Sequence, residues 1–462
     1  MSGYIKKIII NGLFEDKNNY KIDLVEGCNC LFGDNGCGKT SIINLIVHSL
    51  TVNLEGIRDI PFKSISLFYA KSGTIRALKL LTVSKSEFKS EDGMKGINIE
   101  FTFHPMKKTF TLDVTRIDLI ERQYSELIEH FKKLNKKYIN LTHVPLLRLH
   151  EGEVAYDDDL LNRALRRRKF SQKQISELLD PSVRTLVSLE KEFIEAYTDK
   201  TRRIKDELDS LKSRIIEKVM IDEKLVRETT RSFALMTRAL EKEPEVVDVN
   251  AYVEKFNLAK LDVPVEKVKE HFGQWKALNE RFRENWQKTN ELTADAAKAQ
   301  RHKVEKEYRK SYFNLFSITH IYNQFESIIK EVEGVQKTKS NELKTFIEYE
   351  NQINNFFKNK TFFLSEDGEF SIKSGERKID ISDLSSGEKH ILTILGRVAL
   401  SNEGASSFIA DEPELSLHLD WQRKIIPAIR TLSPNTQVIV ATHSPAIFEN
   451  DAKEINIEEC RS

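Results

Sequence analysis

No apolar run in the 462-residue chain approaches the ~18 residues that a membrane-crossing helix needs. The opening residues, Met1-Ser2-Gly3-Tyr4-Ile5-Lys6-Lys7, lack the long apolar stretch of a secretory signal peptide. Cysteine is scarce: Cys28, Cys30 and Cys37 crowd one segment and Cys460 stands apart. That is too few and too clustered for a disulfide framework, and no pair has the Cys-x-x-Cys spacing of a zinc site. An excess of charge of one sign is also missing. The 72 basic and 71 acidic side chains leave a formal net charge of +1, which excludes a globally basic nucleic-acid coat but leaves local patches open. These absences predict a cytoplasmic protein without membrane association. Its 31% charged and 40% hydrophobic residues suit a helix-rich globular chain.

Glycine and proline are missing unevenly. Of the 18 glycines, 11 lie at or before Gly152, one is Gly273, and six lie from Gly334 onward. Between Gly152 and Gly273 only Pro181, Pro244 and Pro264 interrupt the chain, and no further proline appears until Pro413. Stretches so poor in both breakers predict helix. The expected organisation is an N-terminal lobe over 1–150, a helical insertion over 151–355 and a C-terminal lobe over 356–462.

In the first lobe Tyr4–Asn11, Tyr20–Leu24 and Cys28–Phe32 read as strands and Ser41–Leu50 as an apolar helix. Ser64–Tyr69, Thr74–Val83, Ile97–His104 and Thr109–Val114 read as a meander. Ile117–Lys137 reads as a helix and Tyr138–Leu149 as another strand. In the insertion, Ile204, Leu208, Leu211, Ile215 and Val219 form one apolar stripe; Val268, Phe272, Trp275, Phe282 and Trp286 suggest a second. Both suit core faces of packed helices or an antiparallel helical arm, and strict heptads are not sustained. Farther on, Thr361–Leu364 and Phe370–Lys373 flank Ser365-Glu366-Asp367-Gly368, a hairpin signal.

The strongest motif is Gly33-Asp34-Asn35-Gly36-Cys37-Gly38-Lys39-Thr40, between an apolar strand and an apolar helix. Backbone N–H groups of such a loop, together with the helix N-terminus, cradle phosphate oxygens. The expected nucleotide-binding residues are Gly33, Asn35, Gly36, Gly38, Lys39, Thr40 and Ser41. Lys39 reaches the β- and γ-phosphates, and the Thr40 hydroxyl holds Mg²⁺. A second motif, Ser407-Phe408-Ile409-Ala410-Asp411-Glu412-Pro413, ends a strand in two carboxylates. Asp411 supports the Mg²⁺ shell and Glu412 deprotonates or orients the attacking water. Leu384-Ser385-Ser386-Gly387-Glu388 opens an apolar helix; alone it is a helix cap, and with the others it is a second anion site. Last, Thr442-His443-Ser444-Pro445 follows an apolar strand, where His443 can touch a γ-phosphate.

In this order the four motifs resemble those of ABC-type ATPases of the SMC, RecF and OLD group. The resemblance covers about Met1–Leu149 and Phe362–Ser462, and not the helical middle. It implies a P-loop ATPase head of α/β class, with an antiparallel β meander, interrupted by a large helical or coiled-coil-like insertion. Leu384–Glu388 looks like the signature motif, Glu412-Pro413-Glu414-Leu415-Ser416-Leu417-His418 like the catalytic glutamate running into the D-loop, and His443 like the switch histidine. Members form head-to-tail ATP sandwiches. By analogy Ser385 and Gly387 of one subunit complete the site around Lys39 of another, in a dimer or higher oligomer. The family's loop glutamine has no clear counterpart: Gln123 is the sole Gln between Lys39 and Leu149 and falls in an expected helix.

Size, insertion and the Leu384–Lys389 sequence look most like the AriA ATPases of PARIS anti-phage systems, then the PtuA ATPases of Septu systems. That likeness implies an ATP- and Mg²⁺-using sensor or scaffold that controls a separate nuclease, of TOPRIM type in the first case and HNH type in the second. Residues 444–462 are too few for a nuclease domain, so the nuclease is expected on another chain. A DNA-binding SMC- or RecF-like repair ATPase is the alternative, and direct DNA binding stays open. A transporter subunit fits poorly with the long interval between Thr40 and Leu384. Arg163, Arg166, Arg167, Arg168, Lys169 and Lys173 form a basic run that is either a solvated helix face or a dock for an acidic partner such as a phage-encoded trigger.

Overall fold

The structure, a computed structural model, describes residues 3–74, 76–89, 95–115, 121–134, 138, 141–143, 180–219, 250–251, 253–254, 264–291, 298–401, 407–447 and 452–462. The chain begins with β1 (Gly3–Asn11), β2 (Tyr20–Asp23) and β3 (Cys28–Phe32), then α1 (Lys39–Thr51) and α2 (Leu54–Asp59). β4 (Ser64–Lys71), β5 (Leu78–Lys89), β6 (Lys95–Phe103) and β7 (Lys108–Asp113) follow, then α3 (Glu121–Leu134) and β8 (Leu141–His143). Long helices α4 (Pro181–Val219), α5 (Val265–Asn290) and α6 (Lys298–Phe356) come next. The chain returns through β9 (Thr361–Leu364), β10 (Phe370–Ser374), β11 (Arg377–Ile379), α7 (Ser386–Leu400), β12 (Ser407–Asp411), α8 (Leu419–Leu432), β13 (Gln437–Ala441) and β14 (Lys453–Asn456).

Two of the three described sheets, the larger ones, form the bulk of the head. One is antiparallel, in the order β2-β1-β4-β5-β6-β7, and contains the expected meander. The other is parallel, in the order β14-β3-β13-β12-β8. Its central strands are short apolar runs because both faces are covered: Cys28–Leu31, Ser407–Ala410 and all of β13 are buried. The buried Gln437 ties the two sheets together. Its amide accepts from the Ile5 N–H at 2.9 Å and donates to the carbonyls of Ile5 at 2.8 Å and Val25 at 2.9 Å. A buried amide satisfied on both sides is costly to replace, which fixes how the meander sits against the parallel sheet.

The described residues divide into two compact units: Met1–Tyr197 with Thr345–Ser462, and Thr198–Lys344. The expected boundary at 150/151 lies outside the described residues. At the other end α6 runs through residue 355 to Phe356, and its last turns belong to the first unit because Phe346 and Tyr349 stack on Phe193. In the second unit Leu211, Val268, Phe272, Ile329 and Val332 form one apolar cluster and Phe282 with Leu315 another. The described members of both expected stripes thus line the core, except that Trp286 is 49% exposed on α5; the side chain of Val219 lies outside the described residues. Ion pairs Lys200–Glu342 at 3.1 Å and Arg214–Glu331 at 3.0 Å flank the clusters.

Other differences have local causes. β5 starts later than expected and continues to Lys89, because Ser84–Lys89 pairs with β6 in a ribbon whose half-exposed faces tolerate polar residues. The hairpin β9–β10 forms as expected, and β11 adds a third strand beyond a turn at Gly375. Of Tyr138–Leu149, only β8 is described as strand. Gln123 is exposed on α3. The basic run Arg163–Lys173 lies outside the described residues. Among the described residues no helix is long and apolar enough to cross a membrane.

Candidate functional site

Parallel register sets the site. Ala441 of β13 pairs with Leu31 of β3 on one side and with Asp411 of β12 on the other. The carboxyl ends of three adjacent strands are therefore level, and each hands over to one of the motifs. Ligands of open α/β sheets bind at this edge.

After β3 the loop Gly33–Gly38 turns into α1. Gly36 and Gly38 have φ of 88° and 96°, the left-handed region that favours glycine, and Gly38 is the cap residue of α1. The Lys39 side chain folds back over the loop. Its ammonium donates to the carbonyls of Gly33 at 2.8 Å and Asp34 at 3.0 Å, and lies 3.6 Å from the Cys37 sulfur. Lys39 is only 6% exposed, so a buried cation is held by neutral oxygens, an arrangement that a phosphate anion would improve. Asp34, Asn35 and Gly36 are exposed; Thr40 and Ser41 are half-buried on the first turn of α1. Phe14, 48% exposed and with φ of 64°, lies close enough that a Cβ on Gly38 would sit 3.3 Å from its ring.

β12 ends at Asp411, and the chain bends sharply at Glu412. This non-glycine residue has φ of 46°, and its N–H donates to the Ala441 carbonyl at 2.7 Å. Strain of this kind is held in place only by surrounding bonds, and it aims the side chain. The Glu412 carboxylate faces the His443 imidazole, with Oε1 and Nε2 3.9 Å apart and both side chains 42% exposed. Thr40 and Asp411 offer a hydroxyl and a carboxylate. Oxygen donors of this kind suit Mg²⁺, which takes its remaining ligands from phosphates and water.

Ser385 and Gly387 lie at the start of α7. Ser385 caps α7 in a capping box: its hydroxyl accepts from the Glu388 N–H at 3.3 Å, and Glu388 Oε2 accepts from the Ser385 N–H at 2.8 Å. Lys360 donates to the same oxygen at 2.8 Å. Burial alone would raise the Glu388 carboxyl, but the bonds from Lys360 and Ser385 outweigh it and hold the pKa below the usual range. Glu388 is thereby committed to the cap. Ser385 is exposed at a helix N-terminus, where an anion would be favoured. Gly387 is required by close approach, since a Cβ there would lie 2.8 Å from the Ser416 carbonyl oxygen. α7 thus packs directly on the chain that follows Glu412.

Several contacts at the site are not given by the motifs. Glu414 bonds to the loop that holds His443. Gln422 of α8 accepts from the Ser444 hydroxyl at 2.7 Å and donates to the Leu417 carbonyl at 2.9 Å. On α7, Lys389 donates to Asp180 at 3.1 Å. His390 is 1% exposed, and burial pushes its pKa down to about 4, with the Pro413 backbone pulling the other way. Apart from the local Gln422–Leu417 bond, nothing in the local sequence announces these pairs, because their partners lie tens to hundreds of residues away.

The sequence profile of the AAA ATPase domain (AAA_15) matches residues 4–448. The Retron Ec83 probable ATPase of Escherichia coli is 36% identical over 80 residues, 15% of this chain and 15% of that protein. The Retron Vc95 probable ATPase of Vibrio cholerae serotype O1 biovar El Tor is 33% identical over 94 residues, 18% of this chain and 18% of that protein. The chain therefore spans less than a fifth of the length of these curated relatives. Among solved structures, the Smc head domain of Pyrococcus furiosus, with an extended coiled coil and bound to the C-terminal domain of ScpA, is 15% identical. That likeness covers 99% of this chain and 94% of that one at a TM-score of 0.37. The Smc head domain of Pyrococcus yayanosii, with a coiled coil and joint, is 17% identical, covering 96% and 93% at a TM-score of 0.32. Scores of that size do not define a fold. The head described above, a parallel sheet with a phosphate loop beside an antiparallel sheet and a large helical region, carries the fold assignment.

Proposed function

The chain belongs to the AAA ATPase domain family, and from that premise we propose that it binds and hydrolyses ATP as the nucleotide-driven switch of an anti-phage defence complex. The observation that carries the ATPase reading is the level register of β3, β13 and β12, whose carboxyl ends lead into the loop of Lys39, the turn of His443, and the pair Asp411 and Glu412. Lys39 would exchange the Gly33 and Asp34 carbonyls for β- and γ-phosphate oxygens, while loop N–H groups and the start of α1 hold the rest of the polyphosphate. Thr40 and Asp411 would hold Mg²⁺, which supplies neutralisation of the phosphate charge. Glu412 takes a proton from the attacking water, and the adjacent His443 steadies the carboxylate and the γ-phosphate.

Ser385 and Gly387 are the groups with which a second copy would close the site from the other side. An exposed, capped helix N-terminus supports that arrangement. The defence role is supported by the short matches to retron ATPases; a separate nuclease held in check until infection follows only from the resemblance of the sequence to PARIS and Septu ATPases. A TOPRIM nuclease is favoured and an HNH nuclease is the alternative. An acidic phage-encoded trigger would be drawn to the basic run at Arg163–Lys173, where clustered charge speeds encounter.

Steady-state ATP turnover and nucleotide binding test the chemistry. Lys39→Ala should weaken ATP binding, and Glu412→Gln should bind ATP yet lose turnover by roughly 10²-fold or more. Turnover like wild type in both variants would refute the site. The shared site is tested by mixing. Ser385→Arg and Lys39→Ala proteins should each be inactive, and mixed dimers should regain part of the activity through the one interface with two intact halves. Mixed dimers without rescue would count against the sandwich. The defence reading is tested by purification from the native operon: a nuclease should co-purify, whereas a nuclease-free protein that binds DNA tightly would favour a repair ATPase.

A further inference from the structure

The segment after Glu412 touches both the signature helix and the loop of His443. Glu414 makes the second contact. Its Oε1 accepts from the Thr442 hydroxyl, from the His443 N–H at 3.0 Å and from the Ser444 N–H at 3.3 Å. One carboxylate oxygen therefore gathers three donors from three consecutive residues. The other oxygen, Oε2, is buried and has no hydrogen-bond partner among the described residues. A carboxylate used through a single oxygen is acting as a fixed acceptor, and neutral oxygen of the same shape could replace it.

The segment itself is tightly wound. Glu412 and Ser416 both have left-handed backbones, with φ of 46° and 67°, and the Leu415 and Leu417 N–H groups donate to the carbonyls of Glu412 and Glu414 at 3.0 and 2.9 Å. Ser416 presses its carbonyl against Gly387. A shift of the signature helix would thus move Ser416, and through this short winding Glu414 and the His443 loop. A second tie, Ser444 to Gln422 at 2.7 Å, anchors the far end of that loop to α8. The loop therefore keeps an attachment when Glu414 is changed, so its position can be altered without releasing it.

We propose that Glu414 is a positioning residue that holds His443 against Glu412 and links the signature helix to that pair. The inference rests on the ATPase reading above. It predicts that the length and acceptor oxygen of the side chain matter, and that its charge does not. Glu414→Gln retains the acceptor, and its amide nitrogen replaces the oxygen that makes no bond. Glu414→Asp keeps the charge but is too short to reach three donors.

The test is steady-state kinetics on the full chain, with thermal melting as a check on folding. Glu414→Gln should keep kcat within about twofold of wild type, while Glu414→Asp should lower kcat by at least about tenfold with KM little changed. In a His443→Ala background, Glu414→Asp should add less than about twofold, because the residue acts through the histidine loop. The reverse order, with Asp active and Gln impaired, would overturn the proposal. So would Glu414→Asp turnover like wild type, or losses that multiply in the double variant. Glu412→Gln separates the two readings: if wild type turns over and that variant stalls while Glu414→Asp is unaffected, the positioning role alone fails. Absence of turnover in wild type would overturn both.

Discussion

The double pairing of Ala441 is the constraint on which the site depends. Because it is level with Leu31 and with Asp411, the chain leaves three strands at the same height. A register slip by one residue would reverse the faces of a strand buried on both sides and part the motifs. Hydrophobic burial of β3, β12 and β13 thus does two things at once. It supplies the core of the head and it brings a cation, two carboxylates and an imidazole to one edge. The buried amide of Gln437 fixes the antiparallel sheet to the foot of β13.

At that edge the backbone departs from regular structure where the chemistry needs it. Gly36 and Gly38 turn the phosphate loop at little cost, since glycine has no Cβ to clash. Glu412 has no such freedom, and its left-handed bend is secured by the bond to Ala441 and the turn to Leu415. The strain is placed one residue beyond Asp411, which keeps one carboxylate at the strand end and swings the next toward His443. The Lys39 ammonium, bound to carbonyl oxygens, shows the loop already closed around positive charge.

Local pattern made much of this legible. Apolar runs ending at glycine, at paired carboxylates or at Thr442-His443 marked β3, β12 and β13, and breaker-poor stretches marked α4 to α6, because burial and helix propensity leave traces within a few residues. The phosphate loop was legible because its backbone needs glycine at set spacing. Long-range pairs left no such trace. Glu414 meets Thr442, Gln437 meets Ile5, and Lys389 meets Asp180 only after folding. Polarity also misled at Ser84–Lys89, where a half-exposed ribbon continues as strand, and at Trp286, where an aromatic at helical spacing faces solvent.

The central claim is that three sequence-distant segments form one nucleotide site. Amide hydrogen exchange of the wild-type protein, with and without ATP and Mg²⁺, tests it most directly. The account predicts that nucleotide protects residues 33–41, 411–414 and 442–444 together, at the same nucleotide concentration. Protection confined to one of these segments, or spread over the long helices with none at the strand ends, would contradict it.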